Sequence, residues 1–212
     1  MPDYLGDLDA LIRHFDNGRP VRLLGHSMGG NIASLYAGVF PGKVSDLINV
    51  EGFGLAETDP TTTPAHYRRW LKSLHKTDIG FSPYANPKDL VPRIKKRSPA
   101  MPDDRALFVA EQWLKLQSDG SYALRTDAAH RSPNPVRYRR DEAMACWADI
   151  TARVALIRGE YETLPGIMDG LSGMRQQMER ARIQDFTVAG AGHMVHFEKA
   201  EQLAHIVKDF LR

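Results

Sequence analysis

The sequence predicts an α/β fold: a mostly parallel sheet with helices on both faces, interrupted by a helical insertion. Three observations carry this reading. Short apolar runs alternate with amphipathic helical stretches at both ends of the chain, a Gly-rich turn joins one such run to a helix, and prolines crowd a middle stretch without strand-like runs. Strands that alternate with helices need crossovers, and those crossovers cover the sheet.

The elements follow in order. An amphipathic helix around Tyr4 to Phe15 leads through Asn17-Gly18-Arg19-Pro20 into the apolar run Val21 to Leu24. Gly25-His26-Ser27-Met28-Gly29-Gly30 follows, then a helix from Asn31 to Phe40 that Pro41-Gly42 stops. Val44 to Val50 is a second strand and runs directly into Glu51-Gly52-Phe53-Gly54.

From residue 58 to 140 prolines recur and the chain is read as a helical insertion with no strands. Its clearest helix puts Tyr67, Trp70, Leu71 and Leu74 on one face, and Ala106 to Leu116 forms a looser one. Regular order returns with a helix at Asp141 to Ala148, a strand at Val154 to Ile157 and a loop from Arg158 to Pro165. A helix between Ile167 and Ala181 and a strand at Phe186 to Val188 come next. Ala189-Gly190-Ala191-Gly192-His193 then precedes a closing helix with Ala200, Leu203, Ala204, Val207 and Leu211 on one face. The core is thus residues 1–57 and 141–212, and the insertion 58–140.

The 212 residues suffice for one domain with a real core, and 28 basic against 26 acidic residues give no electrostatic reason to expect nucleic acid or an anionic membrane as partner. Arg93, Lys95, Lys96 and Arg97 are read as a solvated loop rather than a phosphate site. Cys146 stands alone, so no intramolecular disulfide is expected. Met1-Pro2-Asp3 opens no apolar leader and no run approaches the roughly 18 apolar residues of a membrane span, so a cytoplasmic protein is expected.

Gly25-x-Ser27-x-Gly29 between an apolar run and a helix matches a nucleophile elbow, a sharp strand-to-helix turn that exposes a strained serine hydroxyl. Side chains at Gly25 or Gly29 are expected to block the close approach of strand and helix. With this turn the sequence resembles the α/β-hydrolase family, from the first helix to the C-terminus and most weakly in 58–140, where family members carry a variable helical cap over the active site. The resemblance implies that Ser27 is a nucleophile and His193, after the last strand, its base. It also implies that a carboxylate lying between them in the chain orients the imidazole.

Two carboxylates qualify. Gly159-Glu160-Tyr161-Glu162 looks like the family's Gly-x-x-Asp loop, which makes Glu162 the first choice despite one extra methylene. Glu51, after the strand that follows the elbow helix, is the alternative. The Met28 N–H is the expected oxyanion donor. The second usually comes from a His-Gly segment upstream of the elbow, and residues 1–20 contain none. The family places four strands and a helix before the elbow strand. Here only the helix is present, so a free sheet edge is expected at Val21 to Leu24, and with it self-association into a homo-oligomer.

The implied activity is hydrolysis of a small-molecule carboxylic ester or related acyl compound through an acyl-enzyme, with no cofactor or metal. Serine in place of aspartate disfavours the related dehalogenase and epoxide hydrolase chemistries. His196, three residues beyond His193, is a weak competitor as base. Tyr67, Trp70, Phe108, Trp113 and Tyr122 are read first as the insertion's own core and second as the lining of an apolar pocket. The rival reading is a catalytically weak hydrolase-like chain acting as an interaction module.

Overall fold

The computed structural model describes residues 2–75, 80–161 and 166–212. The first elements are α1 (Pro2–His14), β1 (Val21–His26), α2 (Met28–Val39), β2 (Val44–Val50), α3 (Thr63–Leu74), α4 (Val91–Arg97) and α5 (Asp103–Trp113). A hairpin of β3 (Leu114–Leu116) and β4 (Tyr122–Leu124) precedes α6 (Arg140–Ala148), β5 (Arg153–Gly159), α7 (Ile167–Gln177), β6 (Arg182–Val188), α8 (Val195–Glu198) and α9 (Ala200–Phe210). None of the described helices is long and apolar enough to cross a membrane. The chain divides into two compact units, Met1–Thr58 with Tyr138–Arg212, and Asp59–Arg137.

In the first unit β1, β2, β5 and β6 lie side by side in that order, all parallel. Residues two apart along a strand share a face, so each strand feeds two cores. Leu47, Val154 and Leu156 pack with Ala33, Tyr36 and Ala37 of α2, Trp147 of α6 and Met174 of α7. Ile48, Val50, Ala155 and Ile157 face the other way, against Val188, Val195, Leu203 and Phe210. Tyr36 is wholly buried and donates its hydroxyl to Asp9 at 3.1 Å, which docks α1 on α2. Burial, and then this bond to a carboxylate, pushes the Tyr36 phenol up to about 12.

Three parallel strands are also tied by charge near the start of the sheet. Asp46 of β2 is buried and takes Arg22 of β1 at 3.3 Å and Arg153 of β5 at 2.6 Å. Burial pushes its carboxyl up, but the Ser45 hydroxyl and the two arginines outweigh that and hold it below the ordinary carboxylate value. Among the described residues β1 pairs with β2 alone, and Leu24 is exposed.

The second unit has its own core of Leu90, Ile94, Met101, Ala106, Val109, Ala110 and Leu114. It departs from the sequence reading in three ways. Strands do occur there, because Leu114–Leu116 and Tyr122–Leu124 pair antiparallel around the Asp119-Gly120 turn. Lys95, Lys96 and Arg97 end α4 instead of lying in a loop, where their charge complements the negative end of the helix. The expected aromatic core is also corrected in part: Tyr67, Phe108 and Trp113 are exposed, Trp70 and Tyr122 are half-buried, and the fully buried residues are mainly aliphatic.

Helices α2 and α6 meet at Gly38, where an added Cβ would overlap the main-chain carbonyl of Cys146. Gly38→Ala therefore forces two packed helices apart and is expected to cost about 1–3 kcal/mol. Urea denaturation measures this; a variant as stable as the parent would contradict the close approach.

Candidate active site

Ser27 follows the last residue of β1 and precedes the first of α2, with φ 53° and ψ −118°. Its N–H donates to the Val50 carbonyl at 2.8 Å and its carbonyl accepts from Asn31 N–H at 3.1 Å. It stands at the N-cap of α2 without making a side-chain cap bond, so the hydroxyl is left for another partner. That partner is His193: Ser27 Oγ lies 2.9 Å from His193 Nε2.

The tight turn depends on glycine, though not quite as the sequence suggests. A Cβ on Gly25 would overlap the Gly29 carbonyl, whereas one on Gly29 would meet nothing within 4 Å. The other crowded position is Gly30, where a Cβ would lie 2.6 Å from Asn49 Oδ1 and 3.1 Å from Gly52 Cα. The expectation for Gly29 is corrected: α2 turns it outward, and Gly30 faces the neighbouring strand end.

Glu51 repeats the construction one strand over. It follows β2 with φ 58°, and its N–H donates to the Ile157 carbonyl of β5 at 2.9 Å. Ser27 and Glu51 are the two non-glycine residues with positive φ among the described residues. The Glu51 carboxylate is 6% exposed; Oε1 accepts the Gly159 N–H at 2.7 Å and Oε2 lies 3.1 Å from His193 Nδ1. A carboxylate facing Nδ1 selects the tautomer with the proton there, which leaves Nε2 to accept from the Ser27 hydroxyl. Glu162, ranked first by sequence, lies outside the described residues.

Asn49 and Asn31 secure the loop that begins at Glu51. Asn49, inside the apolar run of β2 and fully buried, donates to Ser34 Oγ and the Gly52 carbonyl, each at 2.8 Å, and accepts from Gly52 N–H at 2.9 Å. Asn31 accepts from Gly54 N–H at 2.7 Å. Sequence reasoning passed over both, although an asparagine in the middle of a buried strand is itself a signal, since a buried amide needs partners.

The loop after β6 carries His193. Glu160 Oε2 accepts from Gly190 N–H and Glu198 Oε2 from Gly192 N–H, at 2.7 and 2.5 Å. Glu160 thus holds a loop amide rather than the imidazole. Gly159 has no side chain where one would lie 2.5 Å from the Gly192 carbonyl, which lets the His193 loop close on the end of β5. The Met28 N–H opens α2, where the first amides have no intrahelical acceptor.

The comparisons with known proteins agree with this architecture. The model of the alpha/beta hydrolase family matches residues 1–206. The chain belongs to that family. A serine hydrolase-like protein of Danio rerio is 22% identical over the whole of this chain, which spans 66% of that relative's length. Among solved structures, a hypothetical protein of Pseudomonas aeruginosa PAO1 is 23% identical with TM-score 0.79, over 99% of this chain and 73% of that one. The thioesterase domain from the curacin biosynthetic pathway is 21% identical with TM-score 0.78, over 97% and 72%. A Mycobacterium tuberculosis esterase is 16% identical with TM-score 0.70, over 98% and 67%. At these identities the solved structures establish a common fold.

His196, the weaker candidate for the base, is packed among other rings. Its ring lies between His26, at 4.2 Å, and Phe197, at 4.0 Å, and its Nδ1 is buried with no hydrogen-bond partner among the described residues. Burial, reinforced by His26 and His193, pushes the His196 imidazole down from 6.5 to about 4. Between those values the unfolded chain binds this proton and the folded chain does not, so stability rises with pH and is lost as pH falls from about 6.5 towards 4. His196→Phe keeps the ring and removes the proton site. Denaturation midpoints between about pH 4 and 6.5 are therefore expected to vary less steeply in the variant than in the parent; equal slopes would contradict the assignment.

Proposed function

We propose that the chain is a serine hydrolase that cleaves a carboxylic ester or related acyl compound through an acyl-enzyme. Ser27 is the nucleophile, His193 the general base and then acid, and Glu51 the carboxylate that orients it. The observation that carries this reading is the continuous relay from Ser27 Oγ to His193 Nε2 at 2.9 Å and from His193 Nδ1 to Glu51 Oε2 at 3.1 Å. The contact with His193 supports Glu51 over Glu162 as the acid.

In this mechanism His193 Nε2 takes the Ser27 proton as Oγ attacks the acyl carbonyl carbon. Glu51 stabilises the imidazolium that forms, and the Met28 N–H faces the developing oxyanion. Collapse expels the alcohol or thiol, which receives the proton from His193. Water, deprotonated by His193, then attacks the acyl-Ser27 ester, and collapse releases the acid as His193 returns the proton to Ser27 Oγ. Backbone strain at both Ser27 and Glu51 supports the reading, because such strain collects at functional sites. So does family membership, and one of the structural relatives is described as an esterase. The second reading, a self-associating module without activity, draws on the free edge of β1.

A fluorophosphonate probe separates the two. Stoichiometric labelling lost in Ser27→Ala is expected; folded, soluble protein that takes no label would overturn the hydrolase reading. Glu51→Gln is expected to lower kcat on the order of 10³- to 10⁴-fold, with Glu162→Gln close to the parent enzyme. The reverse ranking in ester hydrolysis would assign the acid to Glu162.

A further inference from the structure

The residue before the nucleophile, His26, is the last of β1, and it reaches across to the loop that carries the base. Its Nε2 lies 2.7 Å from the main-chain carbonyl oxygen of His193. A carbonyl only accepts, so Nε2 carries the proton and donates. The backbone is therefore held on both sides of the His193 side chain: Glu198 accepts the N–H of the preceding residue, Gly192, and His26 donates to the carbonyl of His193 itself.

The geometry makes this bond more than a generic loop tether. His26 and Ser27 are neighbours on one rigid strand end, so a bond from His26 to the backbone of His193 ties the base to the same element that carries the nucleophile. The imidazole must reach Ser27 Oγ and Glu51 Oε2 at once, which leaves little freedom in the position of its Cα. The His26 ring is itself braced, with its centroid 4.8 Å from that of His193 and 4.2 Å from that of His196.

We propose that His26 is a positioning residue for the base: its Nε2–H, bonded to the His193 carbonyl, sets the spacing between Ser27 and His193. This rests on the serine-hydrolase reading above. Burial, aided by the proximity of His193, holds the His26 imidazole below its ordinary value against the opposing pull of the His193 carbonyl and Glu51, which keeps a second cation away from the imidazolium that turnover creates.

Two variants of the full chain separate the hydrogen bond from the ring. His26→Phe keeps a ring against His196 and lacks the donor, whereas His26→Gln keeps an N–H donor at similar reach and lacks the ring. Fluorophosphonate labelling rates and p-nitrophenyl acetate kinetics are measured on both. His26→Phe is expected to label about 10- to 100-fold more slowly and to lose kcat with little change in KM, since small misplacements of a reacting group cost rates of that order. His26→Gln is expected to recover most of both. His26→Asn, whose amide is one methylene short of the carbonyl, replaces His26→Phe should that variant not fold. Parent-like rates in the donor-free variant, or a loss in His26→Gln as large as in His26→Phe, would overturn the proposal while leaving the hydrolase reading in place. A parent chain that takes no label would instead overturn the reading on which the proposal rests.

Discussion

The site depends on one constraint: two L-residues, Ser27 and Glu51, must hold positive φ at the ends of adjacent parallel strands. Such backbones cost of order 1–3 kcal/mol each and persist only where their surroundings over-determine them. Here each strained residue is secured by the next strand in the sheet. Ser27 donates to Val50 at the end of β2, Glu51 donates to Ile157 of β5, and Glu160 donates to Val188 at the end of β6. The parallel register, His26 opposite Val50 and Val50 opposite Ile157, makes these steps possible. The carboxyl ends of parallel strands are where open α/β sheets offer their sites, and here they bring Ser27, Glu51 and the loop of His193 together.

Burial of charge sets the second requirement. Glu51 is almost fully enclosed, and a buried carboxylate is tolerable only with donors at its oxygens. Gly159 supplies one main-chain N–H and His193 faces the other oxygen. The neighbouring rings of His26 and His196 are both pushed towards the neutral form. The charge that develops in the proposed reaction is therefore confined to the Glu51–His193 pair and the reacting acyl group. Asn49 serves both ends of this arrangement, bonding Ser34 of α2 and Gly52 of the loop after Glu51 from within the sheet.

Much of this was legible in the sequence because it is local. The elbow is six consecutive residues between an apolar run and a helix, and His193 sits between a glycine turn and a helix with a clear apolar face. The two-faced cores follow from runs of consecutive apolar residues within the strands, Leu47-Ile48 and Val154-Ala155-Leu156-Ile157. What was hard to read depends on which strands become neighbours. The contact of Glu51 with His193 was not legible, because sequence spacing does not say which strand end faces the imidazole; β2 lies between β1 and β5, and that order brings Glu51 to His193. Gly30 was overlooked in favour of Gly29 because the crowding at Gly30 comes from Asn49 and Gly52, some twenty residues away. In the insertion, β3 was hidden inside a helical pattern that runs on to Leu116, β4 is only three residues long, and apolar spacing marked Tyr67 and Leu71 as interior when they are exposed.

The central claim is that Glu51 holds His193 through Nδ1–H. Proton NMR reads this directly, because an imidazole N–H shared with a buried carboxylate resonates far downfield of the amide envelope. The account predicts one such resonance, retained in Glu162→Gln and lost in Glu51→Gln. A resonance that survives Glu51→Gln and disappears in Glu162→Gln would contradict it.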